Sequence, residues 1–319
     1  ENWLKGELDF LYVAPERLWK EEFIAACRMV PPNMIAVDEA HTLSAWSDTF
    51  RSAYKSIGDF ITQHRPEVVT AFTATCPPQV ERDIREVLCL EHAPKILNYP
   101  RRQNLDLRSL PWRGLETMVP MIERANGPAV IYCVTRDRTE QTAVALQQML
   151  GDSKRVAFYH GGMKPSDRSH TQDAYASGSL DVIVATNAFG MGVDVSNVRL
   201  VIHRDIACSM EGQSQEDGRA GRDGNYSLCM TYHDPESINK HNFMIRTSNP
   251  VFKEVRAVYD VMTRAVDPTG LVSMPSDQIA KACGLHPKYM DPILQILSGA
   301  RVITRSKAAE KKWGFHVAN

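Results

Sequence analysis

The sequence predicts an α/β protein: two lobes built on parallel sheets, followed by a smaller α+β unit. Three observations lead there. Short apolar runs of strand character alternate with amphipathic helical segments from residue 8 to about residue 232. One of those runs, Met34–Val37, ends in two adjacent carboxylates and a histidine, Asp38-Glu39-Ala40-His41, as a buried strand does when it delivers acids to the carboxyl edge of an α/β sheet. After Pro250 the pattern changes to helices and a hairpin.

Taken in order, Leu8–Val13 reads as a strand stopped by Ala14-Pro15, and Pro15 suits the first turn of a helix reaching Arg28. Pro31 and Pro32 break that helix before the strand at 34–37. A loop carrying Trp46 and Phe50 leads to a helix over 52–64, with Ile57, Phe60 and Ile61 on one face. Glu67–Phe72 is strand-like and ends in Thr73-Ala74-Thr75. Pro77 and Pro78 then open a helix that turns Val80, Ile84, Val87 and Leu88 inward.

Residues 93–113 hold Pro94, Pro100, Pro111 and a basic cluster at Arg101, Arg102, Arg108 and Arg113, and read as a linker. A second α/β unit follows. Its helices are expected over 114–126, 136–150 and 164–177, and its strands over 129–134, 155–159, 180–186, 198–203 and 227–232. Beyond it, Val251, Val255, Val258, Met262 and Val266 recur at helical spacing. A capped helix from Ser276 to the Gly284 turn, a helix over 288–297 and a hairpin of 301–305 with 313–317 then give a winged-helix pattern. The expected organisation is a first domain at 1–92, a linker at 93–113, a second domain at 114–235, a linker helix at 236–270 and a winged-helix-like unit at 271–319.

Composition bounds the partners. Of 319 residues, 43% are hydrophobic and 24% charged, as in an ordinary globular protein. Lys and Arg total 37 against 38 Asp and Glu, a net charge of −1, so contact with a nucleic acid has to come from local basic patches. No apolar run reaches the ~20 residues that span a bilayer. There is no secretory signal, and no membrane partner is expected. Seven cysteines form no C-x-x-C pair, which suggests neither zinc nor a disulfide framework and reads as free thiols in a reducing, intracellular setting.

Three stretches carry chemistry. Asp38 can hold Mg²⁺ and Glu39 can polarise a water for attack on a phosphoryl group; the plainer alternative is a strand end with two solvated acids. Gln215-Glu216-Asp217-Gly218-Arg219-Ala220-Gly221-Arg222-Asp223-Gly224 sets two arginines three apart, which places them on one helical face, and guanidinium groups suit triphosphate oxygens. Thr186–Asp194 follows a strand directly and can offer backbone N–H groups and a hydroxyl to phosphates.

Together these segments resemble the RecQ family of superfamily 2 helicases. Leu11–Leu18 is similar to the family's motif before the acid box, Val37–His41 to motif II, Ala71–Thr75 to motif III, Val130–Cys133 with Arg136 to motif IV, Tyr159–Met163 to the next segment, Thr186–Asp194 to motif V and Gln215–Gly224 to motif VI. The resemblance covers residues 8–234 in the family's order. It implies two RecA-like domains that use ATP and Mg²⁺ to unwind DNA, single-stranded or forked, with 3′ to 5′ polarity. It assigns Asp38 to Mg²⁺ and Glu39 to water activation, places His41 in the catalytic set, and makes Arg222 the arginine finger. Arg219 and Gln215 would meet phosphates or link motifs, and Gly192 and Asp194 would face the nucleotide. Thr73, Thr75, His160, Gly161, Thr186 and Gly190 would lie near DNA. Trp46, Phe50 and Arg51 would form the aromatic loop that senses single strands, although Trp46 and Phe50 also suit a covered core edge.

Three departures qualify it. No G-x-x-x-x-G-K-[S/T] loop occurs in the sequence. The family carries that loop upstream of the acid box, which implies a first domain lacking its N-terminal part and a chain with little ATP turnover alone. The family's His-Asp pair in the aromatic loop is Asp48-Thr49 here, and its four-cysteine zinc module is missing, so no zinc is expected. RNA or RNA–DNA duplexes remain alternative substrates, and a binding protein without ATPase activity remains an alternative function. At the C-terminus, Lys281, Lys288, Arg301, Arg305 and Lys307 can meet phosphates, while His286 and Trp313 suit either a wedge or packing.

Overall fold

Short aliphatic runs bounded by prolines and glycines pair into three sheets. The computed structural model describes residues 2–44, 52–97, 102–190, 195–268, 270–307 and 313–317. Trp46, Phe50, Arg51, Gly192 and Asp194 lie outside the described residues, as does the side chain of Trp313. The chain divides into two units, residues 1–231 and 232–319.

In the first unit, α1 (Glu21–Met29) precedes β1 (Met34–Val37), and α2 (Ser52–His64) precedes β2 (Val68–Ala71) and α3 (Pro78–Val87). β1 and β2 are parallel, with Met34 opposite Val68 and Val37 opposite Ala71. Val37, Leu43, Ile57, Phe60, Ile84 and Leu88 form the core beneath them. The strand expected at 8–13 is a correction. Those residues belong to no regular element and are unpaired, with Phe10 and Tyr12 exposed, and β1 pairs only with β2 among the described residues. The helix expected from Pro15 to Arg28 is likewise split, into a 3₁₀ turn at Pro15–Arg17 and α1.

A six-stranded sheet follows. Its strands are β3 (Leu105–Pro111), β4 (Ala129–Tyr132), β5 (Val156–Tyr159), β6 (Val182–Ala185), β7 (Leu200–His203) and β8 (Ser227–His233), in spatial order β3-β8-β7-β4-β6-β5. The intervening helices are α4 (Val119–Arg124), α5 (Arg136–Leu150), α6 (Pro165–Ala176) and α7 (Met210–Asp217). β4, β6 and β7 are buried at every residue, as parallel strands covered on both faces must be. From β4 the chain first winds toward β5 and then returns to β7 on the other side, so the order reverses at β4, the topological switch point of the sheet.

Two readings are corrected here. Residues 105–111, expected within a linker, form β3 beside β8: Asn104 O accepts Ser227 N–H at 2.9 Å and starts that edge. Arg219 and Arg222 do not share a helical face. α7 ends at Asp217, and Val198 O and Ser196 O capture Gly221 N–H and Asp223 N–H at 2.8 and 3.1 Å. Gly221 then turns with φ of 54°, where a Cβ would lie 2.5 Å from Asn104 Nδ2.

The second unit holds, in place of the one linker helix expected at 236–270, two helices, α8 (Pro235–Ser248) and α9 (Phe252–Arg264), followed by β9 (Leu271–Val272), α10 (Ser276–Ala282), α11 (Met290–Gly299), β10 (Ile303–Lys307) and β11 (Trp313–Val317). The expected hairpin is present, and β9 adds a third strand against β11. Val258, Met262, Ile279, Ile293, Leu297 and Ile303 form the core of this unit. His286 meets Phe243 edge-on at 5.0 Å and its Nδ1 accepts Lys288 N–H, which is the packing alternative for that residue.

The close approach of α2 to the end of α3 tests this packing. A Cβ at Gly58 of α2 would lie 2.1 Å from Val87 O at the end of α3. Gly58→Ala is expected to destabilise the chain by about 1–3 kcal/mol in thermal or urea unfolding. An unchanged midpoint would contradict the α2–α3 approach.

Candidate active site

The acids sit where β1 stops. Phe72 N–H donates to Val37 O at 2.8 Å and Ala40 N–H to Phe72 O at 2.9 Å, so the parallel ladder runs past the strand end and fixes residues 38–40 beside 72–75. Glu39 adopts a left-handed backbone, φ 49°, a conformation that costs a non-glycine residue about 1 kcal/mol or more. That turn starts a 3₁₀ segment, Ala40–Leu43, and Thr42 Oγ1 donates to Glu39 O at 2.8 Å.

His41 links the two strand ends. Its Nδ1 lies 3.2 Å from Thr73 Oγ1 and 3.3 Å from Glu39 Oε2. Thr73 donates its own hydroxyl hydrogen to Thr75 O at 2.9 Å, so its oxygen accepts from His41, which places a proton on Nδ1. Asp38 is exposed, with Oδ1 taking Glu39 N–H at 2.8 Å. Glu39 Oε2 is buried without a hydrogen-bond partner among the described residues. Two carboxylates with lone pairs to spare suit a hard cation such as Mg²⁺, which keeps most of its water and takes one or two protein ligands.

The second group gathers where the turn after α7 meets the turn after β6. Arg219 donates through NH1 to Gly190 O, and a Cβ at Gly190 would lie 2.8 Å from Arg219 NH2. A side chain at 190 would thus push the guanidinium from its place on the turn after β6. Tyr132 Oη donates to Phe189 O at 3.1 Å, and burial raises its pKa. Arg222 is exposed, and with Arg219 and Tyr175 it borders a cavity of about 10 Å³. Gln215 lies half-buried on α7.

The residues expected near DNA divide. His160 is buried: its Nδ1 accepts Gly162 N–H at 3.2 Å, its Nε2 contacts Glu140 Oε1 at 2.8 Å, and its ring stacks on Phe158. That ring organises its own turn, and Gly161 is the exposed part. Thr186 is also buried, with Oγ1 receiving Ala188 N–H at 3.4 Å. Thr75 Oγ1 is buried without a partner among the described residues.

Sequence reading missed the residues that hold the arginine turn. Arg199 makes a two-pronged ion pair with Asp223 that pulls the Asp223 carboxyl well below the usual carboxylate range. Arg102 and Asn104 donate to carbonyls of the turn. His203, at the end of β7 with no side-chain exposure, has Nε2 2.9 Å from Asp217 Oδ1 and Nδ1 3.1 Å from Glu216 Oε2, the latter off-line for a hydrogen bond. Burial alone pushes its pKa down, but Asp217 and then Glu216 outweigh that and raise it to about 9. The one signal for His203 was its place at a strand end, and an apolar strand end is an ordinary site for a packed histidine.

Comparisons with known proteins follow the same division. Residues 114–224 match the family model described as Helicase conserved C-terminal domain. The probable ATP-dependent DNA helicase RecS of Bacillus subtilis is 33% identical over 259 residues, 80% of this chain and 52% of that protein. ATP-dependent DNA helicase RecQ of the same organism is 34% identical over 251 residues, 77% of this chain and 42% of that protein. The chain thus spans about half the length of the curated relatives it matches. Among solved structures, Mycobacterium smegmatis helicase Lhr bound to ssDNA and AMP-PNP gives a TM-score of 0.57 over 95% of this chain and 44% of that one, at 18% identity, a likeness of fold.

His203 yields a pH prediction. Its folded pKa of about 9 stands above the ordinary 6.5, so its stabilisation is fully present below pH 6.5 and is lost as pH rises through 9. The stability gap between the native chain and His203→Gln, on the order of 3 kcal/mol at low pH, is expected to close over that window in urea titrations. A gap that does not depend on pH would contradict a charged His203.

Proposed function

Because the chain belongs to the RecQ family of superfamily 2 helicases, we propose that it works in an ATP-driven DNA helicase inside the cell, moving 3′ to 5′ along single-stranded or forked DNA. One observation carries this reading: acids end the parallel strand β1, and an arginine turn held by the approaches to β7 and β3 leads into β8, in the chain order of the helicase motifs.

The proposed chemistry is phosphoryl transfer to water. Mg²⁺ bound with ATP would neutralise charge on the β- and γ-phosphates, and Asp38 is the residue that would hold it. Glu39, turned outward by its left-handed backbone, orients the attacking water, and His41 steadies that carboxylate against Thr73. Arg222 meets the charge that builds on the transferred phosphoryl group. Arg219 carries the state of that site to Gly190 and so to the turn after β6. In the proposed site Gly192 and Asp194 face the nucleotide and Gln215 links it to α7. Gly161, Thr73, Thr75, Thr186, Gly190, Trp46, Phe50 and Arg51 belong to the DNA track.

ATP turnover with and without DNA tests the function, measured on this chain and on the full-length product of its gene. DNA-stimulated turnover with DNA unwinding is expected of the full-length product. Unwinding of RNA alone would move the substrate to RNA, and nucleic-acid binding with no turnover would make the protein a non-enzymatic binder. Glu39→Gln is expected to abolish turnover and spare nucleotide binding. Arg222→Ala is expected to lower kcat by about 10³-fold or more. Retained turnover in the first variant, or an unchanged kcat in the second, would remove that residue from its role.

A further inference from the structure

The backbone from Gly218 to Asn225 belongs to no regular element, so its buried carbonyls need donors from elsewhere. Two side chains just ahead of β3 supply them. Arg102 NH2 donates to Ala220 O at 2.9 Å and also to Gly221 O. Asn104 Nδ2 donates to Gly221 O and to Asn225 O, each at 2.8 Å, while its Oδ1 accepts from Arg102 Nε at 3.2 Å. Ala220 has no exposed surface and Gly221 is buried, so the bonds to their carbonyls are partly shielded from water, where a lost partner is costly, while the bond to Asn225 O is exposed. The opposite side of the turn is held by the Val198 and Ser196 carbonyls and by the Arg199–Asp223 pair.

The geometry points to Arg102 and Asn104 as positioning residues for Arg222. They fix the two carbonyls just before it and so set where its side chain leaves the surface. They also lie just ahead of β3, at the edge of the second sheet. Neither residue touches a reacting atom. The functional half of this inference rests on the proposed ATPase; the structural half does not.

The test uses the full-length product with Arg102→Ala and the isosteric Asn104→Asp, which keeps the shape and loses the donor. Amide exchange of residues 218–225 is expected to speed up in both variants while that of β4, β6 and β7 is unchanged, which also shows that the fold survives. In single-turnover measurements each variant is expected to lower the hydrolytic rate by roughly ten- to a hundredfold, with the KM for ATP little changed. Arg102→Lys, which keeps the charge and one donor, recovers part of the loss. In an Arg222→Ala background Arg102→Ala is expected to cause no further fall, because it acts through that residue. Equal losses in both backgrounds, or unchanged exchange in the turn, would overturn the proposal. If the unmutated protein shows no turnover, the ATPase reading fails and the exchange arm still decides whether the clamp holds the turn.

Discussion

The account depends on how a turn with little hydrogen bonding of its own is kept in place. Residues 218–225 carry two arginines suited to phosphate, but their glycines remove the local order that would aim them. The surrounding chain supplies that order: Val198 and Ser196 from the approach to β7, Arg199 from its edge, Arg102 and Asn104 from the approach to β3, and Gly190 beneath Arg219. The placement of a charged group is thus determined by neutral backbone acceptors and by a glycine chosen for absence of bulk. His203 adds a second hold one turn earlier, with its charge set between Asp217 and Glu216 on α7.

The acid end of β1 works by the same rule with fewer parts. The ladder between β1 and β2 continues through Phe72 and Ala40, so Thr73 arrives beside His41 without a helix to carry it. A strained backbone at Glu39 turns one carboxylate off the strand axis while Asp38 stays exposed. In both places the residue with the chemistry is held by neighbours that are chemically plain.

Much of this was legible in the residues. The proline and glycine punctuation located α2, α3, α5 and the strands of the second sheet other than β3 closely, because short aliphatic runs between breakers admit few alternatives. The acids and the arginine turn were visible as types at spacings. The supporting shell was not. Arg102 and Asn104 lie in a proline-rich stretch that reads as linker, and their role comes from pairing with a segment more than a hundred residues away. The unpaired state of residues 8–13 was equally hidden, since composition reports strand preference and says nothing of whether a partner strand is at hand. The end of α7 at Asp217 was missed because two arginines three apart fit a helix as well as a turn.

The central claim is that the β1 acids and the arginine turn serve one nucleotide. The most direct measurement is a crystal structure of the full-length product with Mn²⁺ in place of Mg²⁺ and a non-hydrolysable ATP analogue, the metal located by its anomalous scattering. The account predicts that Asp38 meets the metal directly or through one water while the Arg222 guanidinium contacts the terminal phosphate of the same nucleotide. A bound nucleotide touching one of these groups while the other faces away from it would contradict the account.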